Sequence, residues 1–160
     1  MGGVLYSFDP SQNPERHGDR FDEAMKKLGL TDAPLKEQLE GEWKAVKSGL
    51  LKIYPNREGV ENLLENLREW ELVVVSTSRV KTSDWILKKI GVEKDPFRIF
   101  DMSDYGSKKD PDAWRKVFEQ LPGIGAIVED GEENLRAAGE AANGLGFVPA
   151  LYTQMPKLVR

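Results

Sequence analysis

Apolar residues follow two patterns along the chain, short runs and stretches with helical spacing, and the two patterns alternate. Runs rich in apolar residues occur at residues 3–8, 72–75, 97–100, 125–128 and 147–151. Their length and apolar character are typical of strands that are covered on both faces of a parallel sheet. Between them, apolar positions three and four residues apart predict helices. Strands and helices that alternate in this way predict an α/β fold with right-handed crossovers.

We therefore predict a doubly wound, Rossmann-like sheet of five mainly parallel strands. Two helices with apolar positions at helical spacing follow the first strand directly, and Gly29 and Gly49 stand where each of them is expected to end. We interpret this helical hairpin as a small cap inserted after the first strand. The predicted division is a core domain made of residues 1–13 and 52–160, and a cap made of residues 14–51.

Composition narrows the class of protein. The 160 residues include 23 basic and 27 acidic side chains without a basic block, so binding to nucleic acid is not expected. The absence of cysteine excludes disulfides, thiolate zinc sites and a cysteine nucleophile. The one histidine, His17, lies in a polar run and is interpreted as a solvated loop or helix-start residue rather than a catalytic base.

Hydropathy also bears on the expected location of the protein. No stretch of about 18 apolar residues is present, and the first residues lack the pattern of a leader peptide. We therefore expect a cytoplasmic protein without a membrane partner, present as a monomer or a homodimer.

Side chains suited to phosphate chemistry follow three of the predicted strands. Asp9 follows the first strand, Ser76 and Thr77 the second, and an acidic pair the fourth. In open α/β sheets, ligands bind at the carboxyl ends of the strands, although Asp9 followed by proline is also typical of a simple turn. Adjacent carboxylates repel one another, and Mg²⁺ relieves that repulsion because it prefers oxygen ligands. Hydroxyl groups at a strand-to-helix junction and the charge of Lys108 are suited to binding a phosphate.

In their order and spacing, these segments resemble the four motifs of the haloacid dehalogenase superfamily. Phe8 and Asp9 are similar to the first motif, with its nucleophilic aspartate, and Val73–Ser76 resembles the second, an apolar strand that ends in serine or threonine. Residues 107–111 resemble the third motif, which carries a lysine, and residues 127–134 resemble the acidic fourth motif. The resemblance covers nearly the full chain, and the helical hairpin occupies the place of the family's cap.

The resemblance implies a magnesium-dependent hydrolase of small phosphorylated compounds in which Asp9 forms an aspartyl-phosphate. The implied catalytic residues are Asp9, Ser76 and Lys108. The implied metal ligands are Asp9, Ser11 through its carbonyl, Glu129 and Asp130. The residues implied in substrate binding are Ser11, Ser76, Thr77 and Lys108.

Ser11 departs from the pattern of the family's phosphatases, which carry a second aspartate two residues after the nucleophile. In the family that acid protonates the leaving group, and loss of a general acid typically lowers the rate by about 10²–10⁴. Dehalogenases and phosphonate hydrolases of the family also lack it, so an enzyme of that kind is one alternative. Another is a catalytically impaired protein of this fold that binds a ligand or a partner. An alternative register, with Ser7 at the nucleophile position and Asp9 at the acid position, predicts an inactive relative.

Overall fold

The structure is a computed structural model, and it describes residues 1–159. Within these residues the chain forms six α-helices, one short 3₁₀ helix (Met102–Asp104) and six short strands. The strands are β1 (Tyr6–Ser7), β2 (Tyr54–Pro55), β3 (Val73–Ser76), β4 (Arg98–Asp101), β5 (Ala126–Val128) and β6 (Ala150–Tyr152). The helices are α1 (Pro14–Lys27), α2 (Leu35–Ser48), α3 (Arg57–Asn66), α4 (Val80–Lys89), α5 (Pro111–Phe118) and α6 (Glu132–Gly144).

Local sequence signals place the helices where the spacing of apolar residues predicts them. Helix α5 begins at Pro111, directly after Asp110, whose side chain accepts a hydrogen bond from the backbone N–H of Asp112 at 2.9 Å. Helix α2 ends at Gly49, which has a φ of 79°. The predicted helical hairpin is confirmed as α1 and α2, both of which lie within residues 14–51. None of the helices in residues 1–159 combines the length and the apolar character needed to span a bilayer.

The predicted five-stranded, doubly wound sheet is wrong. The described strands form three separate two-stranded sheets, in which β1 and β2 are antiparallel while β3–β4 and β5–β6 are parallel. The two parallel pairs are not joined to each other. A cavity of about 580 Å³ is lined by residues 73–75 of β3 and residues 126–128 of β5.

The first half of the first apolar run forms a turn, which explains why the run does not join the parallel strands. Gly3 has a φ of +82°, and its N–H donates to the carbonyl of Tyr6 at 2.8 Å. Only Tyr6–Ser7 remains extended, and it pairs with β2, where Pro55 lacks the N–H that would continue the ladder. Val4 and Leu5 are nevertheless buried, so the apolar side chains of this turn are removed from water although the turn pairs with no strand of a parallel sheet.

Two hydrophobic clusters form the core, and β3 contributes to both. The first cluster contains buried residues of the N-terminal turn, the hairpin, α3 and α4, and the second contains buried residues of β4, α5, β5 and α6. Side chains alternate along β3, so that Val74 lies in the first cluster while Val73 and Val75 pack against the second. The hairpin therefore shares a core with the segment that carries Asp9.

Candidate functional site

A tight turn fixes Asp9 two residues after the end of β1. The residue is only 1% exposed, and its backbone N–H donates to the hydroxyl of Ser7 at 3.0 Å. Its carboxylate accepts hydrogen bonds from the backbone N–H of Ser11 at 2.9 Å and from the hydroxyl of the same residue. The N–H of Gln12 closes the turn onto the Asp9 carbonyl at 3.1 Å, and Gln12 has a φ of +60°, which is uncommon for a residue other than glycine.

Hydrogen bonds within this turn keep Asp9 ionised. The hydroxyl of Ser11 lowers the pKa of Asp9 most, and it outweighs the opposing effect of desolvation. The backbone amide of Ser11 and the positive charge of Arg16 lower the pKa further. Ser11 is therefore a hydrogen-bond partner of the carboxylate at the position where the resembled phosphatases carry an acid.

His17 of α1 also binds this turn, which the sequence did not predict. The residue does lie in the first turn of a helix, but it is half-buried, and its Nδ1 accepts a hydrogen bond from the N–H of Phe8 at 3.0 Å. The imidazole stacks on the ring of Phe8 with a centroid separation of 4.5 Å. Helical spacing could have placed His17 on the buried face of α1, because it lies four residues before Phe21 and seven before the buried Ala24.

Ser76 and Thr77 occupy the junction between β3 and α4, as predicted. Ser76 is buried at the end of the strand, and its Oγ accepts a hydrogen bond from the N–H of Ser78 at 3.1 Å. Thr77 between them is exposed. Ser78 in turn donates its hydroxyl proton to Glu42 Oε1 of the hairpin at 2.9 Å. The second strand end is thus bound to α2, just as the first is bound to α1.

Glu42 is a further residue that sequence reasoning missed. It is 4% exposed, and its Oε2 has no hydrogen-bond partner within the described part of the chain. Burial raises the pKa of Glu42 to about 7, against the opposing effect of the Ser78 hydrogen bond, and the negative charge of Asp101 adds to the rise. A protonated carboxyl group therefore lies between the hairpin and the core in acidic solution.

Lys108 and Glu129 form a buried ion pair. The Lys108 Nζ lies 2.6 Å from Glu129 Oε2, and the two side chains are 11% and 6% exposed. Burial is the largest effect on Glu129 and acts to raise its pKa. The ammonium of Lys108, the Met1 amine and the hydrogen bonds of Lys108 and Asp130 together outweigh burial and lower this pKa to about 2. Trp114 supports the pair, because its indole N–H donates to the Lys108 carbonyl at 2.7 Å. Lys108 and Glu129 thus balance each other's charge.

Asp130 follows the ion pair and touches the N-terminal turn. The residue as a whole is exposed, but its carboxylate lies so close to Gly3 that a Cβ at that position would overlap it. This partial desolvation raises the pKa of Asp130, and so does the neighbouring Glu129. Gly3 is therefore favoured by its positive φ, and a side chain there would also displace the Asp130 carboxylate.

Asp101 ends β4 in register with Ser76 and is a third buried acid at a strand end. Its Oδ2 lies 2.8 Å from Arg79 Nη1, and its Oδ1 accepts a hydrogen bond from the N–H of Ser103 at 3.0 Å. The sequence signal was the same as for Asp9, an acid directly after an apolar run. Because it is already paired with arginine, Asp101 holds the loop that follows β3.

The predicted metal ligands lie in two separate groups. Asp9 bonds to Ser11, while Glu129 and Asp130 are adjacent in the chain beside Lys108. Within residues 1–159, no three Asp, Glu or His side chains are close enough together to hold a metal ion. The chemistry of the donors does suit Mg²⁺, because carboxylate and carbonyl oxygens are the ligands that it prefers. Magnesium binding stays a prediction.

No protein-family model, no curated protein and no solved structure matches this chain. The candidate site is thus described by its own geometry. Its residues lie in three places: the turn at Asp9 and the turn at Ser76, each bound by a hairpin side chain, and the Lys108–Glu129 ion pair with Asp130 beside it.

Proposed function

We propose that the protein is a hydrolase of small phosphorylated compounds with Asp9 as its nucleophile. The observation that carries the proposal is the buried carboxylate of Asp9, which follows a strand and is kept ionised by the hydrogen bonds of Ser11. Hydrogen bonds from neutral donors leave the negative charge of a carboxylate uncompensated, so the carboxylate can attack an electrophile. A salt bridge would neutralise that charge. The order of the four segments that resemble the haloacid dehalogenase motifs supports the same conclusion.

In the proposed reaction, a carboxylate oxygen of Asp9 attacks the phosphorus atom of a phosphate ester. The new O–P bond forms as the ester P–O bond breaks, and the departing alkoxide takes up a proton from solvent. Water then hydrolyses the aspartyl-phosphate, releases phosphate and regenerates Asp9. Ser76 and Thr77 would donate hydrogen bonds to the phosphoryl oxygens. The phosphoryl group would compete with Glu129 for the ammonium of Lys108.

We also propose Mg²⁺ as the cofactor. Asp9, Asp130 and the carbonyl of Ser11 would hold the ion and Glu129 would assist, and binding would have to draw the two groups of carboxylates together. When bound, the ion supplies positive charge that polarises the phosphoryl group. Asp130 supports this proposal, because its raised pKa indicates a negative charge that its surroundings balance poorly. Lys108 does not relieve it, since that ammonium is bonded to Glu129.

The test is phosphate release from a panel of phosphate monoesters in the presence of Mg²⁺. We expect wild type to release phosphate, and Asp9→Asn to lower kcat by a factor of about 10³ or more, since it removes the nucleophile without changing its shape. Asp95→Asn is the matched control, because Asp95 is 81% exposed and precedes β4 instead of following a strand. It should retain wild-type activity.

Two results would contradict the proposal. One is a complete lack of phosphate release from every ester, and the other is equal activity of wild type and Asp9→Asn. Release of halide from a haloacid without release of phosphate would instead favour the dehalogenase alternative. Retention of ligand binding by Asp9→Asn, with no turnover in either protein, would favour a binding protein.

A further inference from the structure

The hairpin reaches the main chain at Asp9 through the only histidine of the chain, His17. The N–H of Phe8, the residue before Asp9, donates to His17 Nδ1 at 3.0 Å. The N–H of Asp9 itself donates to Ser7 Oγ at 3.0 Å, and this Oγ lies 3.4 Å from the same imidazole nitrogen. Both amides are therefore bound to His17, one directly and one through Ser7.

These donors determine where the imidazole carries its proton. A backbone N–H can only donate, so Nδ1 must be unprotonated, and the proton of the neutral ring resides on Nε2. Ser7 Oγ already accepts from Asp9, so its own proton is available to Nδ1. Burial lowers the pKa of His17, as does the positive charge of the Met1 amine, and both effects favour the neutral ring.

Packing holds the ring in this orientation. It stacks on Phe8 with an interplanar angle of 11°, and the ring of Tyr6 lies 5.9 Å away. Its far edge faces Gly2, where an added Cβ would lie 3.1 Å from Cε1 and 3.2 Å from Nε2. A rotation of the imidazole would break the stack and the hydrogen bond to Phe8 together.

We propose that His17 is a positioning residue that fixes the main chain at Phe8 and Asp9, and thereby sets the direction of the Asp9 carboxylate. Its role in catalysis rests on the proposed function, in which Asp9 is the nucleophile. His17 acts through the backbone and transfers no proton to the substrate. Misplacement of a reacting group by about 1 Å lowers rates by about 10²-fold, so a hydrogen bond at this point has a large effect.

Two substitutions separate the hydrogen bond from the packing. His17→Phe keeps an aromatic ring on Phe8 but removes the acceptor, whereas His17→Asn places Oδ1 near the position of Nδ1 and restores the acceptor. We expect His17→Phe to lower kcat by about 10–100-fold with KM changed by less than about 2-fold, and His17→Asn to recover most of the loss. Equal kcat in wild type and a folded His17→Phe, or no recovery in His17→Asn, would overturn the proposal.

Nuclear magnetic resonance tests the same role without an assay of activity. Because the chain has one histidine, its two ring nitrogens give one unambiguous pair of ¹⁵N signals. We expect the shift of an unprotonated acceptor for Nδ1 and of a protonated nitrogen for Nε2. We also expect His17→Phe to shift the backbone amides of Phe8 and Asp9, and Arg20→Ala, an exposed change on the same helix, to leave them in place.

The outcomes distinguish this proposal from the proposed function. A proton on Nδ1, or unchanged Phe8 and Asp9 amides in His17→Phe, would overturn the role of His17 whatever the activity. A wild-type protein with the expected tautomer and amide shifts that releases no phosphate would overturn the proposed function alone.

Discussion

At the residue scale, Ser11 controls the chemistry available to Asp9. Its hydroxyl and its N–H both donate to the carboxylate, and the hydroxyl lowers the pKa of Asp9 more than any other group does. A serine hydroxyl is too weak an acid to protonate a leaving group at neutral pH. The proposed enzyme therefore has an ionised nucleophile but no acid in this turn.

Replacement of Ser11 by aspartate should supply that acid. Two carboxyl groups in one turn repel, so the pKa of one of them rises toward the range of a general acid. We expect Ser11→Asp to raise kcat for phosphate monoesters by about 10²–10⁴-fold, measured at saturating substrate and Mg²⁺. Ser11→Asn has nearly the same shape without the acid and should show no gain. An unchanged kcat in a folded Ser11→Asp variant would show that protonation of the leaving group does not limit turnover.

Glu42 should make the stability of the protein depend on pH. Its pKa is raised to about 7 in the folded state, from 4.5 when free, so the folded state binds more protons between these values. The contribution of Glu42 to the free energy of unfolding should therefore be largest below about pH 4.5. It should be lost as the pH rises through 7. The full effect is about 3 kcal/mol, from a shift of about 1.4 kcal/mol per pKa unit.

Urea unfolding of wild type and Glu42→Gln at pH 5 and pH 8 measures this effect. The amide cannot ionise, so we expect the variant to lose less stability than wild type between the two pH values. Glu40→Gln is the control, because Glu40 lies on the same helix with its side chain 47% exposed, in an ion pair with Lys81. The same loss in wild type and Glu42→Gln would show that Glu42 titrates as an ordinary carboxyl group.

At the element scale, Asn56 joins the start of α3 to the N-terminal turn. Its Oδ1 accepts a hydrogen bond from the N–H of Gly59 at 3.2 Å, and its Nδ2 donates to the Val4 carbonyl at 3.0 Å. We expect Asn56→Ala to lower the free energy of unfolding by about 1–2 kcal/mol, because it removes a helix cap and leaves a buried carbonyl without its donor. Asn56→Ser keeps a cap without the hydrogen bond to Val4, so its stability should fall between those of wild type and Asn56→Ala in urea unfolding. If Asn56→Ser is as destabilised as Asn56→Ala, the cap contributes nothing.

The helices and strands also differ in how far the sequence predicts them. Proline at the start of α5 and glycine at the end of α2 act within a few residues, so the helices were predictable from their own sequence. Pairing between strands depends on distant segments. The turn at Gly3 and the partner offered by β2 removed the first strand from its predicted place. An apolar run indicates that a segment is buried, but it does not indicate which strand that segment pairs with.

The candidate site likewise contains features that the sequence predicts and features that depend on distant segments. Asp9, Ser76 and Glu129 follow strands, so their positions at strand ends were predictable from the chain alone. The hydrogen bonds of His17 and Glu42 join residues nine and 36 positions apart, and no local pattern encodes them. Helical register gave the face of α1 on which His17 lies, but not the amide that it meets.

At the scale of the whole molecule, the hairpin and the N-terminal turn share one hydrophobic cluster, so we expect them to unfold together. Met25 of α1 is 2% exposed in that cluster. Met25→Ala should lower the free energy of unfolding by about 2–5 kcal/mol, whereas the exposed neighbour Lys26→Ala should change it by about 0.5 kcal/mol or less. Curves from circular dichroism and from tryptophan fluorescence should coincide in both variants. A separate early transition of the hairpin would show that residues 14–51 are an independent unit.

The cavity between β3 and β5 has a consequence for the response of the protein to pressure. Empty space inside a fold disappears when the chain unfolds, so the unfolded state occupies the smaller volume, typically by about 20–100 mL/mol. The cavity here is partly open to solvent, so only its enclosed part adds to this difference. A bulkier side chain at Ala126, which lines the cavity, should therefore reduce the volume change of unfolding, and equal volume changes for Ala126→Leu and wild type under pressure would contradict this.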